Sequence, residues 1–191
     1  MKPDRPRDRV PPNQRIASKL PALTYGPPPR IDLERWRLEI DGLVEERVSF
    51  TWQELTALPH VTSVVDVHCV TGWSLLDGAW EGISARELMK WVRLKPDAKY
   101  VLAASYGGYS TNLSVADFLA ENVLVAFNFA GEPLTPEHGW PLRLVAPHLY
   151  FWKSAKWLRR LTFRDHDEPG FWESAGYHIR GDPWKEERYS Y

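Results

Sequence analysis

Apolar and polar residues alternate along much of this chain with the period of two that marks half-buried strands. Trp36, Leu38 and Ile40 alternate with polar residues up to Asp41-Gly42, and Val48 and Phe50 resume the pattern, which predicts a hairpin. Further strands are predicted at "VTSVVDVHCV", "KYVLAAS", "NVLVAFNF", "PLRLVA" and "KWLRRLTF", segments rich in β-formers and too short for core helices. Between them lie helix starts. Thr51 with Glu54 has the spacing of a capping box, Ser84 with Glu87 repeats it before "ARELMKWV", and Ser114 with Asp117 gives a weaker version before "VADFLAE". The pattern therefore predicts a single mixed α+β domain with long functional loops and no internal repeat.

At 191 residues the chain has room for one core of useful size, and 43% hydrophobic against 26% charged residues places it among globular proteins. A formal net charge of -1 gives no electrostatic reason to expect nucleic acid or an anionic membrane as partner. The 10 Trp and 16 Pro argue for rigid loops and aromatic packing in place of a plain helical bundle. The single cysteine forms no internal disulfide, so nothing calls for an oxidising compartment. The N-terminus carries no apolar run of signal or membrane-span length and no paired arginines near its start, which makes a cytoplasmic location the expectation. Its Pro/Arg bias predicts an extended arm over residues 1–24 ahead of a domain over residues 25–191. Tyr25 and Gly26, followed by three prolines, read either as a rigid strap over a pocket or as a lead-in packed by Leu20, Leu23 and Tyr25.

Cys69 ends a β-rich run and begins a loop with Thr71, Gly72 and Ser74, the kind of junction at which functional side chains gather. Three roles are open: buried hydrophobe, nucleophile, metal ligand. A nucleophile needs a base, and His68 is badly placed for it because adjacent strand residues point to opposite faces. A protein-only zinc site is disfavoured, since there is no second Cys and no paired His spacing. A soft metal that takes one thiolate and its other ligands from an organic cofactor needs only one cysteine. The second half of the chain offers groups suited to a phosphate: His138-Gly139 opening a turn, Arg143 on the next strand, and Ser154 and Lys156 in an aromatic loop. Lys153, Arg159 and Arg160 are expected on a solvated basic face. The C-terminal Arg180, Asp182, Lys185 and Arg188 are expected in a solvated tail pinned by Trp184 and Tyr189.

"HCVTGWS", followed at a distance by "GEPLTPEHGWPLRLVAPHLYFWKSAKW" and "DEPGFWESAGYHIRGDPWKEERY", resembles the molybdopterin-binding domain of the sulfite oxidase family. The nearest look is to its small haem-free bacterial members, similar to the catalytic subunit of the periplasmic methionine sulfoxide reductase. The resemblance implies a molybdenum–molybdopterin cofactor with Cys69 as the protein's thiolate on the metal. It also implies cofactor contacts from Ser105, His138, Arg143, Ser154, Ala155 and Lys156, and more loosely from Thr24 and Tyr25. Catalytic side chains around the open face are expected among Thr71, His68, Tyr106 and Tyr109. Thr71 stands where the sulfoxide reductases carry a glutamate, and His138 where they carry an asparagine. The resemblance further implies two-electron oxygen-atom transfer on a small sulfur or nitrogen oxo compound, and a separate electron-transfer partner, a cytochrome or a flavoprotein. A cysteine-dependent transferase or hydrolase, and a non-catalytic molybdopterin carrier, are the alternative readings.

Overall fold

A computed structural model describes residues 6–190; Met1–Arg5, the start of the predicted arm, and Tyr191 lie outside the described residues. Eleven strands form two sheets. The first sheet holds β1 (Arg15–Ile16), β4 (Val61–Cys69), β5 (Trp73–Ser84), β8 (Leu124–Phe129), β9 (Glu132–Pro133) and β10 (Arg143–Val145). The second runs β3-β2-β11-β6-β7, from β2 (Arg37–Gly42), β3 (Val48–Thr51), β6 (Tyr100–Ser105), β7 (Ser110–Ser114) and β11 (Leu158–Arg164). Four short helices, α1 (Trp52–Thr56), α2 (Ala85–Leu88), α3 (Val115–Phe118) and α4 (Phe171–Ser174), sit at the sheet ends.

All five predicted strands form. So does the predicted hairpin, with β2 antiparallel to β3. Its turn is not the Asp41-Gly42 pair, however: β2 continues through both residues, because β11 runs parallel beside it and pairs Asp41 and Gly42 with Thr162 and Phe163. Gly42 holds φ +83, and a Cβ there would stand 2.2 Å from the Phe163 carbonyl oxygen, so close strand approach is what demands the glycine. The capping box closes reciprocally between Thr51 and Glu54, while Ser84 and Ser114 each accept the amide of the residue three positions on.

The main core fills the space between the sheets with Trp36, Leu38, Ile40, Ile83, Val101, Val125, Leu144 and Leu161 among its buried members. The first sheet is buried on its other face as well. On β8, Val125 and Phe127 point into that core, whereas Leu124 and Ala126 join a second cluster with Cys69, Trp73, Trp80, Val145, Tyr150 and Trp152. That second cluster floors the cavity described next. The N-terminal segment is fastened to it: β1 lies parallel to the start of β5, and Arg9 donates to Asp66 and Asp77. No helix among the described residues is long and apolar enough to cross a membrane.

Candidate functional site

A cavity of about 680 Å³ opens beside Cys69, within the size range of cofactor and ligand sites. One wall is the segment from Pro21 to Pro29, so Tyr25 and Gly26 belong to a strap over the pocket. The strap is tied down by the site itself: Lys156 Nζ donates to the carbonyls of Leu23 at 2.7 Å and Glu137 at 2.8 Å, and His138 Nε2 reaches the Leu20 carbonyl at 3.3 Å. Leu20 packs inward, but Leu23 and Tyr25 stay largely exposed at the rim, which rules out a merely packed lead-in.

Cys69 closes β4 opposite Trp73, and a tight turn returns the Gly72 amide to the Cys69 carbonyl at 3.0 Å. Burial pushes its thiol up from the ordinary value, partly opposed by Thr71, whose hydroxyl donates to Sγ at 3.2 Å. A nucleophilic cysteine needs the reverse, a depressed thiol beside a free base. Neither neighbouring histidine supplies one. His138 Nδ1 and Nε2 are occupied by Thr135 and Leu20. His68 corrects the expectation that it belongs to the site: strand alternation turns it to the other face of β4, away from the cavity, with Nδ1 on Ser74 Oγ at 2.8 Å and its ring edge-on to Trp184. Burial there pushes its imidazole down to about 4, a neutral ring at neutral pH.

Arg143 is 2% exposed, and every acceptor it finds is a carbonyl: His138 at 2.9 Å, Ser154 at 2.9 Å and, weakly, Leu144 at 3.4 Å. Its guanidinium stacks on Phe151 and Trp80. No carboxylate compensates it, and burial drives it from 12.5 down to about 9. Lys156 likewise hydrogen-bonds to carbonyls, and its pKa is lowered to about 7 by burial and by the repulsion of Arg143, against the weaker attraction of Glu137. Two desolvated cations facing one cavity, in no ion pair among the described residues and eased only by the field of Glu137 on the cavity wall, form a site for an anion that the side chains do not fully provide. Glycine is required between them, since Gly139 holds φ +109 and a Cβ would sit 3.0 Å from Lys156 Cβ and 3.2 Å from Arg143 Cβ.

Of the other expected residues, Thr24, Tyr25, Thr71, Tyr106 and Ser154 line the cavity, as does Tyr109. Ser154 Oγ accepts the Ala146 amide, which holds the 154–156 loop in register. Ser105 and Ala155 do not line it. Ser105 ends β6 one residue before Tyr106, and its buried Oγ has no partner; Ala155 is buried and contributes its carbonyl to the Leu144 amide. Lys153 corrects the expectation of a solvated face: it is fully buried, 2.6 Å from Glu173, because β7, α4 and the segment at Ile179 close over it. The C-terminal segment also departs from expectation. Trp184 and Tyr189, about half exposed, contact the rings of His68 and Tyr177, but the tail is also held by polar anchors, Arg180 on Asp117 and Arg188 on the Val70 carbonyl.

The aromatic wall of Phe171, Trp172 and Tyr177 escaped sequence reasoning. Trp172 and Tyr177 stack at 5.0 Å, and Tyr25 contacts Phe171 and Trp172 at 5.0 and 5.9 Å. The high Trp and Tyr content was the one available signal, and it carries no position.

Among the described residues no group of three or more His, Cys, Asp or Glu is placed to hold a metal by itself. The groups on the cavity are instead one thiol and two desolvated cations, with the orphaned Ser105 hydroxyl buried one residue before the lining Tyr106. They fit a large anionic cofactor that brings most of its metal's ligands with it.

The family described as Oxidoreductase molybdopterin binding domain matches residues 25–172. The chain is 48% identical over 184 residues to the Uncharacterized oxidoreductase YuiH of Bacillus subtilis, covering 96% of this chain and 93% of that protein. It is 32% identical to the Putative protein-methionine-sulfoxide reductase subunit YedZ1 of Azospira oryzae, across 79% of this chain but 57% of that one. In structure it resembles the sulfane dehydrogenase SoxCD of Paracoccus pantotrophus, with TM-score 0.66 and 25% identity over 73% of this chain and 40% of that one. With a cavity built around one cysteine and a pair of desolvated cations, the chain belongs to the molybdopterin-binding oxidoreductase family of the sulfite oxidase type, enzymes that work through a molybdenum–pterin cofactor.

Proposed function

We propose that this oxidoreductase exchanges an oxygen atom with a small, neutral sulfur or nitrogen oxo compound, such as a sulfoxide or an N-oxide. The observation that carries the reading is the charge distribution of the cavity. Its buried cations are gathered between the 136–139 turn and the 154–156 loop, where a cofactor phosphate would consume them. Cys69 is bordered instead by Thr71, Trp73 and Tyr177. A sulfite or nitrate ion entering that aromatic side would lose its hydration without touching a cation of the cavity lining, whereas a neutral oxo group loses far less.

When bound, the cofactor supplies a molybdenum that cycles between oxidation levels two electrons apart. Cys69 would hold the metal, and Thr71 would withdraw charge from the thiolate through its hydrogen bond. Arg143 and Lys156 would neutralise the phosphate, with the hydroxyl of Ser105 and the loop of Ser154 and Ala155 framing the pterin. Tyr106, Tyr109, Trp172 and Tyr177 would exclude water and present ring faces to the substrate. Thr24 and Tyr25 on the strap would cover the mouth. The electrons belong to a separate carrier, a cytochrome or a flavoprotein. The word "subunit" in the name of the Azospira relative supports such a division of labour. A cytoplasmic location is part of the same proposal, tested by fractionation of the native host.

The experiment is metal analysis of wild type and Cys69→Ser from a host that makes the cofactor, followed by turnover with a reduced dye against sulfoxides, N-oxides and nitrate, and with an oxidised acceptor against sulfite. Near-stoichiometric molybdenum in wild type alone, with turnover of the neutral acceptors, is the expected result. Turnover confined to sulfite or nitrate would refute the neutral-substrate reading, and a folded protein without molybdenum would refute the cofactor assignment.

A further inference from the structure

The turn carrying Cys69 is gripped from two sides by chain ends outside the matched residues 25–172. From the N-terminal side, Gln14 Nε2 donates to the Cys69 carbonyl at 3.1 Å, and the Arg15 amide donates to the Gly72 carbonyl at 3.0 Å. From the C-terminal side, Arg188 Nη1 donates to the Val70 carbonyl, the peptide group next to the cysteine. Arg188 is four-fifths buried and lies 5.2 Å from the Tyr150 ring centroid, with Glu186 its closest acid at 3.7 Å.

The segment delivering Arg188 is built for the purpose. It leaves α4 through Tyr177, which lines the cavity, and doubles back so that Tyr177 bridges Tyr189 and the His178 amide reaches the Arg188 carbonyl at 3.1 Å. Two anchors hold it on the domain: Arg180 on Asp117 at 3.0 Å, and the Tyr150 amide on the Gly181 carbonyl at 2.7 Å. Arg188 thus places a guanidinium on the peptide group that follows Cys69, although it is not itself part of the cavity lining.

Resting on the reading of Cys69 as the metal's thiolate, we propose that Arg188 is a positioning residue for the molybdenum centre. It fixes the Cys69 turn through the Val70 carbonyl, and its positive charge raises the midpoint potential of the centre. The physical reason is that reduction adds negative charge to the metal and its ligands, so a fixed cation behind the thiolate stabilises the reduced form more than the oxidised one.

The test compares Arg188→Lys, Arg188→Gln and Arg188→Met in the holoprotein by molybdenum content, midpoint potential from redox titration, and the thiolate-to-metal absorption band. The expected result is a lower potential and a shifted band in Arg188→Gln and Arg188→Met, with Arg188→Lys returning toward wild type because it restores the charge. If Arg188→Gln, which keeps a donor without the charge, retains the wild-type potential, the electrostatic role is overturned. Should Arg188→Met fail to fold, the Lys and Gln pair still decides the matter. A wild type that folds without molybdenum overturns the cofactor reading itself, an outcome separate from an unchanged potential.

Discussion

Arg143 and Lys153 are both buried cations a few residues from the same loop, and the structure predicts opposite consequences for their removal. Burial pushes Arg143 from 12.5 to about 9, which at about 1.4 kcal/mol per pH unit corresponds to roughly 5 kcal/mol against its charged form in the apoprotein. Arg143→Met relieves that cost but orphans the His138 and Ser154 carbonyls, each loss worth about 1–3 kcal/mol. The terms nearly cancel, so the apoprotein should change in stability by no more than about 3 kcal/mol in either direction. Lys153, in contrast, has an anion: Glu173 at 2.6 Å, with both side chains almost wholly buried. Glu173 also accepts from Thr111 and Trp152 at 2.8 Å each, so Lys153→Met strands a carboxylate that the fold keeps in place. Breaking such a pair costs about 3–5 kcal/mol, equivalent to a fall in Tm of about 6–20 °C for a chain of this size. The assay is urea and thermal unfolding of the apoproteins at neutral pH, with molybdenum content measured after expression in a cofactor-competent host. The expected pattern is a nearly stable Arg143→Met that no longer retains cofactor, beside a destabilised Lys153→Met. An Arg143→Met apoprotein that loses as much stability as Lys153→Met, or that still binds molybdenum normally, would refute the claim that Arg143 awaits an external anion.

Gly139→Ala forces a left-handed residue to carry a Cβ against Lys156 and Arg143, so it should cost about 1–3 kcal/mol and weaken cofactor retention; equilibrium unfolding and metal analysis check both. The pH dependence of Lys156 has a definite sign. Its folded pKa of about 7 lies below the ordinary 10.5, so between those values the unfolded chain binds more protons and apoprotein stability rises with pH, the gain being lost progressively as pH falls from 10.5 to 7. Urea midpoints of wild type and Lys156→Met across that window should diverge by a few kcal/mol at most; parallel curves would contradict the assignment.

Strand periodicity and capping chemistry are local properties, and they were legible. The five predicted strands and the Thr51, Ser84 and Ser114 caps depend on neighbours within a few residues. Cys69 at a strand end, Arg143 on a strand and Lys156 in an aromatic loop stand out in the sequence, and all three line one cavity. The long strand β5 (Trp73–Ser84) is not among the predicted strands, and β4 and β8 pairing on either side are what hold it extended. Orientation was decided only in three dimensions. His68 and Cys69 are adjacent in sequence, yet pleating sends one to Ser74 and the other to the cavity. Lys153 and Lys156 are three residues apart, yet one forms an ion pair with Glu173 in the interior and the other faces the cavity hydrogen-bonded to carbonyls. Which cation has a counter-charge depends on α4 and the C-terminal segment folding back across the sheet, a long-range packing event that no local pattern encodes. The sequence by itself thus determined the strands, the caps and the chemical character of the site. Tertiary structure decided which of those groups share a cavity, and which remain without a partner until a ligand arrives.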